Sequence, residues 1–401
     1  MTSEVPLHGY CDPRFEEVRR VFQENLSSGS DLGAGVAFSL DGEIVVDLWG
    51  GYLDFEGRDE WESDTLVNLY STTKGMIALC AQQLMERGQL DVDAPVAEYW
   101  PEFAAAGKEK IPVRQLLCHQ AGLPAVRKPL AEGTLYDWEA FTSALAAQEP
   151  WWEPGTRHGY HAITFGHLVG ELIRRISGQS PGRFFHENIA APLDADFHIG
   201  LPDTQHARTS DLHGSLVQGS GDRELPDSVP EPLKAFMRDM TDPATMTGAA
   251  FNNPRISPEA VNSAEWRRAE IPAANGHGTA RSLARIYGAV ARGGEVDGIR
   301  ILESESIDRA ILPQSEGPDA VLGGLPMRFG LGFMLRSLIM PLSPNARAFG
   351  HPGAGGSIGM ADPDAGVGFG YTPNKMQVGL VGGAGGFAML KVFFDALAGE
   401  S

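Results

Sequence analysis

Ser71-Thr72-Thr73-Lys74 sets a hydroxyl and an amine three residues apart, and the residues after it decide how the two are presented. Ile77, Ala81, Leu84 and Met85 recur at helical period and Gly88 offers a stop, so the stretch reads as the first turn and body of a helix. Side chains three apart share one helix face, which brings the amine to the hydroxyl's proton. At the N-terminal end of a helix the backbone dipole also favours developing negative charge. A serine without a histidine partner becomes a nucleophile in this way. Two fixed positions are a loose pattern, however, and the bland alternative is a helix-starting serine followed by a solvated lysine. The surrounding sequence has to choose between them.

With 401 residues, 42% of them apolar, the chain has material for about two to three domain-sized units and a substantial core. Its 32 basic and 52 acidic residues leave a net charge of −20, which speaks against nucleic acid or an anionic membrane as partner. Met1 to Tyr10 shows no basic start followed by an apolar run, and no apolar stretch approaches the length of a membrane span. Cys11, Cys80 and Cys118 are odd in number and lack metal-ligand or redox spacing. A cytoplasmic protein with reduced thiols, no metal and no cofactor is the expectation.

Phe15, Val18, Phe22 and Leu26 mark an amphipathic first helix. Ala34 to Leu40 and Glu43 to Trp49 read as strands joined by Asp41-Gly42, a hairpin signal. From about 74 to 200 the texture is helical, with Phe165, Leu168, Val169, Leu172 and Ile176 on one stripe. From about 200 to 275 periodicity dissolves into Pro-, Asp- and Ser-rich sequence, including Leu225-Pro226-Asp227-Ser228-Val229-Pro230-Glu231-Pro232, and a segment so long is either disordered or a pocket wall; a pocket wall is the expectation. Leu283 to Ala291 reads as helix and Ala348 to Tyr371 as Gly-rich strands. Phe387, Leu390, Phe393, Phe394 and Leu397 place a last helix on the same sheet as the first.

In this order the motifs resemble the serine β-lactamase and penicillin-recognising superfamily, in particular the class C-like branch with the family VIII carboxylesterases. The resemblance rests on Ser71-Thr72-Thr73-Lys74, on Leu116 to Pro124, on Glu153-Pro154-Gly155-Thr156 leading to Tyr160, on Gly278-Thr279-Ala280, on Phe329 to Phe333 and on His351-Pro352-Gly353. It implies an α/β plus all-α, β-lactamase-like fold: an antiparallel sheet flanked by helices, built from residues 1–70 and 276–401, with a mainly helical domain from 71 to 275. By resemblance Ser71 is the acylated nucleophile, Lys74 its proton acceptor and Tyr160 the third member. The backbone N–H groups of Ser71 and Ala354 would bind the oxyanion, and His351 and Gly353 the substrate.

Two departures bear on substrate. The family's Y-x-N appears as Tyr160-His161-Ala162, so the amide that holds a lactam side chain is missing. Its K-T-G appears as His351-Pro352-Gly353, where a histidine is only partly charged near neutral pH and Pro352 has no N–H. Both favour hydrolysis of short-chain carboxylic esters, small molecules, over lactams, with weak lactamase activity as a side reaction. A β-lactamase, D-aminopeptidase or amide hydrolase, an acyltransferase, and a non-catalytic penicillin-binding sensor are the alternatives; oligomeric state is left open. For Lys74 to act as base near pH 7 its pKa must fall by roughly three units, about 4 kcal/mol. Whether Lys74 or Tyr160 takes the serine proton stays open at this level.

Other motifs compete less well. Gly355-Gly356-Ser357-Ile358-Gly359 matches the nucleophile elbow of α/β-hydrolases, but no histidine follows His351 and Pro363 comes too soon for a helix, so Ser357 reads as a decoy. Gly383-Ala384-Gly385 faintly echoes a dinucleotide fingerprint and reads better as a loop into the last helix. His158 and His161 have no third ligand for a metal. His119 reads as a side chain pinning a turn, and Trp151 and Trp152 as either pocket lining or helix-end packing.

Overall fold

A computed structural model describes residues 5–214, 231–257, 259–377 and 382–399. The hairpin signal at Asp41-Gly42 is realised: both residues take left-handed φ (50° and 91°), as a two-residue turn between right-twisted strands requires. It joins β2 (Gly33–Leu40) to β3 (Glu43–Gly51), and β1 (Leu7–Cys11) pairs with β3 on the outer side. β4 (Val67–Asn68), β5 (Phe197–Ile199) and β6 (Gly276–Gly278) form a small separate sheet, and β7 (Glu295–Val296) and β8 (Ile299–Arg300) a hairpin. The C-terminal part adds β9 (Ser315–Pro318), β10 (Pro326–Phe329), β11 (Met334–Leu335), β12 (Phe349–Pro352), β13 (Ile358–Asp362) and β14 (Val367–Pro373). The large sheet then runs β1-β3-β2-β14-β13-β12-β11-β10-β9, every pair antiparallel.

Helices cover both faces of this sheet, which is why β2 and β14 are buried almost throughout. On one face the Glu16–Ser27 and Ala384–Ala398 helices meet around stacked rings, Phe393 lying 3.9 Å from Phe38 and 4.3 Å from Phe15. On the other face the Ala280–Ala291 helix lies close enough that a Cβ at Gly370 would come within 2.2 Å of Ala280 O. Glycine at 370 is therefore a condition of that contact.

The Thr73–Glu86 helix departs from the expected amphipathic stripe, since Thr73 through Met85 are all buried. It runs through the protein with other elements on every side, and its side-chain amides donate internally: Gln82 to Leu331 O at 3.0 Å and Gln83 to Ile301 O at 2.8 Å, while the buried Gln82 Oε1 has no partner among the described residues. Gly88, at φ 68°, follows its end. The Thr164–Ser177 helix buries Phe165, Leu168, Val169 and Leu172, and ends at Gly178 in the left-handed region.

The stretch from 200 to 275 is less irregular than its composition suggests. It contains helices at Glu231–Thr241, Met246–Asn252 and Ala264–Arg268, the last two capped by Thr245 and Ser263 side chains. The Met246–Asn252 and Ala264–Arg268 helices are too short to carry a periodic signal, whereas the apolar period of Glu231–Thr241 was masked by the Pro-rich run that leads into it. Leu225 to Pro230 lies outside the described residues. Among the described residues no helix is long and apolar enough to cross a membrane, and no group of His, Cys, Asp and Glu could hold a metal ion.

Candidate active site

Ser71 stands two residues ahead of its helix, in a tight lead-in where Thr73 N donates to Tyr70 O and Lys74 N to Ser71 O, both at 3.0 Å. Tyr70 is held at φ 43°, a left-handed conformation that a bulky residue adopts only under constraint. Thr73 anchors the turn: its hydroxyl donates to Tyr70 O at 2.6 Å and accepts from Gly276 N at 2.8 Å. The turn leaves Ser71 half-buried at a cavity of about 760 Å³.

Lys74 is fully buried, and its Nζ lies 3.0 Å from Ser71 Oγ, 2.6 Å from Ala162 O and 2.9 Å from Ala273 O. No carboxylate contributes to its surroundings, and burial holds its pKa well below the ordinary lysine value. A neutral amine has two N–H and one lone pair. Two carbonyls can only accept, so in that neutral form they take the two N–H and the lone pair faces Ser71 Oγ. Lys108 offers the contrast: its buried Nζ donates to the three carbonyls of Ala105, Ala146 and Gln148, all three N–H of an ammonium are used, and burial lowers its pKa only to about 8.

Tyr160 is buried, with its ring 4.8 Å from Lys74 Nζ and the Ser71 side chain close enough to act on its phenol. Burial pushes its pKa up, which favours the protonated phenol. Its backbone is fixed by Asp319, whose Oδ1 accepts from the N–H groups of Tyr160 (3.1 Å), Val321 (2.8 Å) and Leu322 (2.9 Å). Sequence reading missed Asp319, since nothing in its neighbourhood of Pro318 and Ala320 marks it.

His351 differs from expectation. It is buried, and desolvation first and the neighbouring Lys74 second bring its pKa down to about 3, so it is a neutral imidazole and not a partly charged one. Its Nδ1 donates to Pro352 O at 2.8 Å. Gly353 is buried where two segments touch: a Cβ there would lie 2.2 Å from both Leu69 O and Ser357 Oγ. Neither residue lines the cavity, whereas Ala354 does, together with Ser71. Among the described residues neither the Ser71 nor the Ala354 N–H has a backbone hydrogen-bond partner.

Ser357 is buried and ties these segments together. Its hydroxyl donates to Leu69 O at 2.8 Å and accepts from Thr72 Oγ1 at 3.0 Å, while Ser357 O accepts from Gly353 N at 2.7 Å. It has no histidine partner and belongs to the support of the site. His119 does pin a turn: at φ 63° it accepts the His161 N–H on Nδ1 at 3.1 Å. Both nitrogens of His161 are also occupied, by Gly159 O and by Leu123 N–H. Trp151 and Trp152 do not line the cavity; Trp151 instead lies under Arg127 at 3.8 Å.

The cavity wall comes largely from the once-featureless 200–275 stretch: Leu212, Met240, Phe251, Ile256, Val261 and Trp266 all face it. A family model described as Beta-lactamase matches residues 18–385. The esterase/beta-lactamase LipL of Mycobacterium tuberculosis (strain ATCC 25618 / H37Rv) is 36% identical over 389 residues, 94% of this chain and 84% of the relative. A crystal structure of a family VIII carboxylesterase superposes with a TM-score of 0.87 at 39% identity, covering 98% of this chain and all (100%) of that one. A penicillin-binding protein homolog from Caulobacter crescentus does so with 0.86 at 39% identity, covering 99% and 100%.

Proposed function

Because the chain belongs to the beta-lactamase family, we propose that it is a serine carboxylesterase, cleaving small-molecule esters through an acyl-enzyme on Ser71. The carrying observation is the Lys74 amine, buried on the carbonyls of Ala162 and Ala273 with its Nζ 3.0 Å from Ser71 Oγ, where in its neutral form it takes the hydroxyl proton. The full-length likeness to a family VIII carboxylesterase and to an esterase/beta-lactamase supports the ester class.

In the first half-reaction Lys74 takes the Ser71 proton as Oγ attacks the ester carbon. The oxyanion is received by the Ser71 and Ala354 N–H groups, each worth about 3 kcal/mol in such a role. As the C–O bond breaks, the Tyr160 phenol hands a proton to the leaving alkoxide and recovers it from Lys74. Water then attacks the acyl-serine, its proton passing to Lys74, and as the acyl C–O bond breaks Lys74 returns that proton to Ser71 Oγ, so that the acid leaves and the free enzyme is restored. The phenol's high pKa makes Lys74 the base and Tyr160 the donor.

Esters are favoured over lactams because Ala162 offers no side-chain amide and His351 no fixed charge. A weak lactamase side activity is retained in this reading, on the strength of the relative whose name joins the two activities. Three buried thiols suit a reducing compartment, and the cytoplasm is the proposed location. The test is intact mass after reaction with a phosphonate ester, with peptide mapping of the label, beside turnover of p-nitrophenyl butyrate and nitrocefin. Label on Ser71 and steady ester turnover lost in Ser71→Ala are expected. Label on Ser357 would overturn the mechanism, and a single stoichiometric burst would make the protein a sensor.

A further inference from the structure

Arg127 and Arg255 line the same cavity as Ser71. The chain is strongly acidic, and most of its arginines are spent on carboxylates: Arg114 on Asp93, Arg174 on Glu171, Arg208 on Asp196, Arg281 on Asp47. Arg127 and Arg255 have no such ion pair among the described residues. Among the described residues the carboxylate that senses Arg255, Glu259, is fully exposed and feels it only weakly through space.

The two loops that carry them are also tied together. Asn253 Nδ2 donates to Val126 O (2.6 Å) and Lys128 O (3.0 Å), and its Oδ1 accepts from Leu130 N (2.8 Å). One side chain thus clasps the loop carrying Arg127 to the loop carrying Arg255. Arg127 is fixed further: its N–H donates to Gln148 Oε1 at 2.8 Å, and its guanidinium lies 3.8 Å from the Trp151 ring centroid, with the Trp151 Nε1 anchored on Ala125 O at 2.8 Å. A stacked guanidinium presents its N–H edges in a pre-set fork, the geometry that grips a carboxylate. Both residues are exposed to solvent on one wall of the cavity, where an anion entering it would be attracted by both charges.

The rest of the wall is apolar, with Leu130, Leu212, Met240, Phe251 and Ile256, and 760 Å³ is far more room than a two- to four-carbon acyl group fills. His351, behind the cavity wall, is neutral and supplies no positive charge. We propose that the preferred substrates are esters with an apolar body and a carboxylate remote from the scissile bond, and that Arg127 and Arg255 bind that carboxylate. This rests on the esterase reading above and adds a substrate class to it.

The test compares three esters on the intact protein: p-nitrophenyl hexanoate, the p-nitrophenyl half-ester of adipic acid, which carries the anion on the acyl side, and 4-carboxyphenyl hexanoate, which carries it on the leaving side. The expected result is a KM for one of the charged esters about tenfold below that of the neutral one, narrowing as salt is raised. In Arg127→Gln/Arg255→Gln the ratio of charged to neutral kcat/KM should collapse towards one, and in Arg127→Lys/Arg255→Lys part of it should survive. Neutral ester turned over with no preference for either charged ester, or a preference indifferent to salt and to the double glutamine variant, overturns the anion site and leaves the esterase standing. No turnover of any of the three overturns both.

Discussion

Substituting Gly353 by alanine tests the oxyanion arrangement from the inside, without touching a group that meets substrate. The new methyl would lie 2.2 Å from Leu69 O, 2.2 Å from Ser357 Oγ and 3.1 Å from Thr72 Oγ1, where ordinary contact begins at 3.4 Å. Leu69 O is main chain in the turn that carries Ser71, and Ser357 belongs to the loop that carries Ala354. To admit the methyl the two must part by roughly 1 Å, and the Ser71 and Ala354 N–H groups part with them. Misplacement by about 1 Å costs on the order of 100-fold, and loss of one oxyanion donor about 100- to 1,000-fold. The expectation is a kcat about 100-fold lower on p-nitrophenyl butyrate with KM little changed. Overpacking should also remove about 1–3 kcal/mol of stability, a fall of a few degrees in Tm. A folded Gly353→Ala protein with kcat within about twofold of the parent would refute the reasoning, because the geometry leaves a methyl nowhere to go.

Lys74→Met should lower kcat/KM by about 100- to 10,000-fold, since the general base is lost while the cavity is kept. The working form of Lys74 is neutral and its pKa lies well below 10.5, so activity should be lost as pH falls through that lowered value and be complete above it, well before the ordinary lysine range. His351 and His161 are held near 3, so the acid limb of the pH profile should stay in place in His351→Asn; a limb that moves with His351 would assign the titration wrongly here. Ser357→Ala should slow the esterase by about tenfold through a loosened tie, and complete loss with Ser71 still labelled by phosphonate would show the tie to be indispensable. Asp319→Ala orphans three buried N–H groups and should cost about 2–4 kcal/mol in denaturant unfolding, against a small effect for Asp319→Asn, which keeps an acceptor.

What was legible in the sequence is what side chains announce by type and spacing. The Asp41-Gly42 turn, the Phe165 to Leu172 stripe and the pairing of Ser71 with Lys74 all follow local rules of period and φ. What escaped is carried by main chain or by distant residues. Ala162 looked like a missing amide, yet its carbonyl is one of the two that occupy Lys74; any residue type would supply that oxygen. Ala273 does the same from another 111 residues along. The charge state of His351 depends on how deeply it is covered, which composition does not report, and so a partly charged ring became a neutral one. Ser357 reads in the sequence as a decoy motif, and its tie to Leu69 spans 288 positions and has no local signature.

The place where β2 meets β14 has a consequence for how this protein comes into being. Gly33 N donates to Asn374 Oδ1 across 341 positions, and the central seam of the large sheet joins the first strands translated to nearly the last. Contacts of that sequence separation close late and slowly, because the loop entropy is lost before any pairing rewards it. Until position 373 has left the ribosome, β2 keeps an open edge, and neither Ala354 nor the loop behind it can be seated against Ser71. The emerging polypeptide is therefore inert towards esters through most of its synthesis, and its half-finished sheet is the stage at which a chaperone has the most to protect.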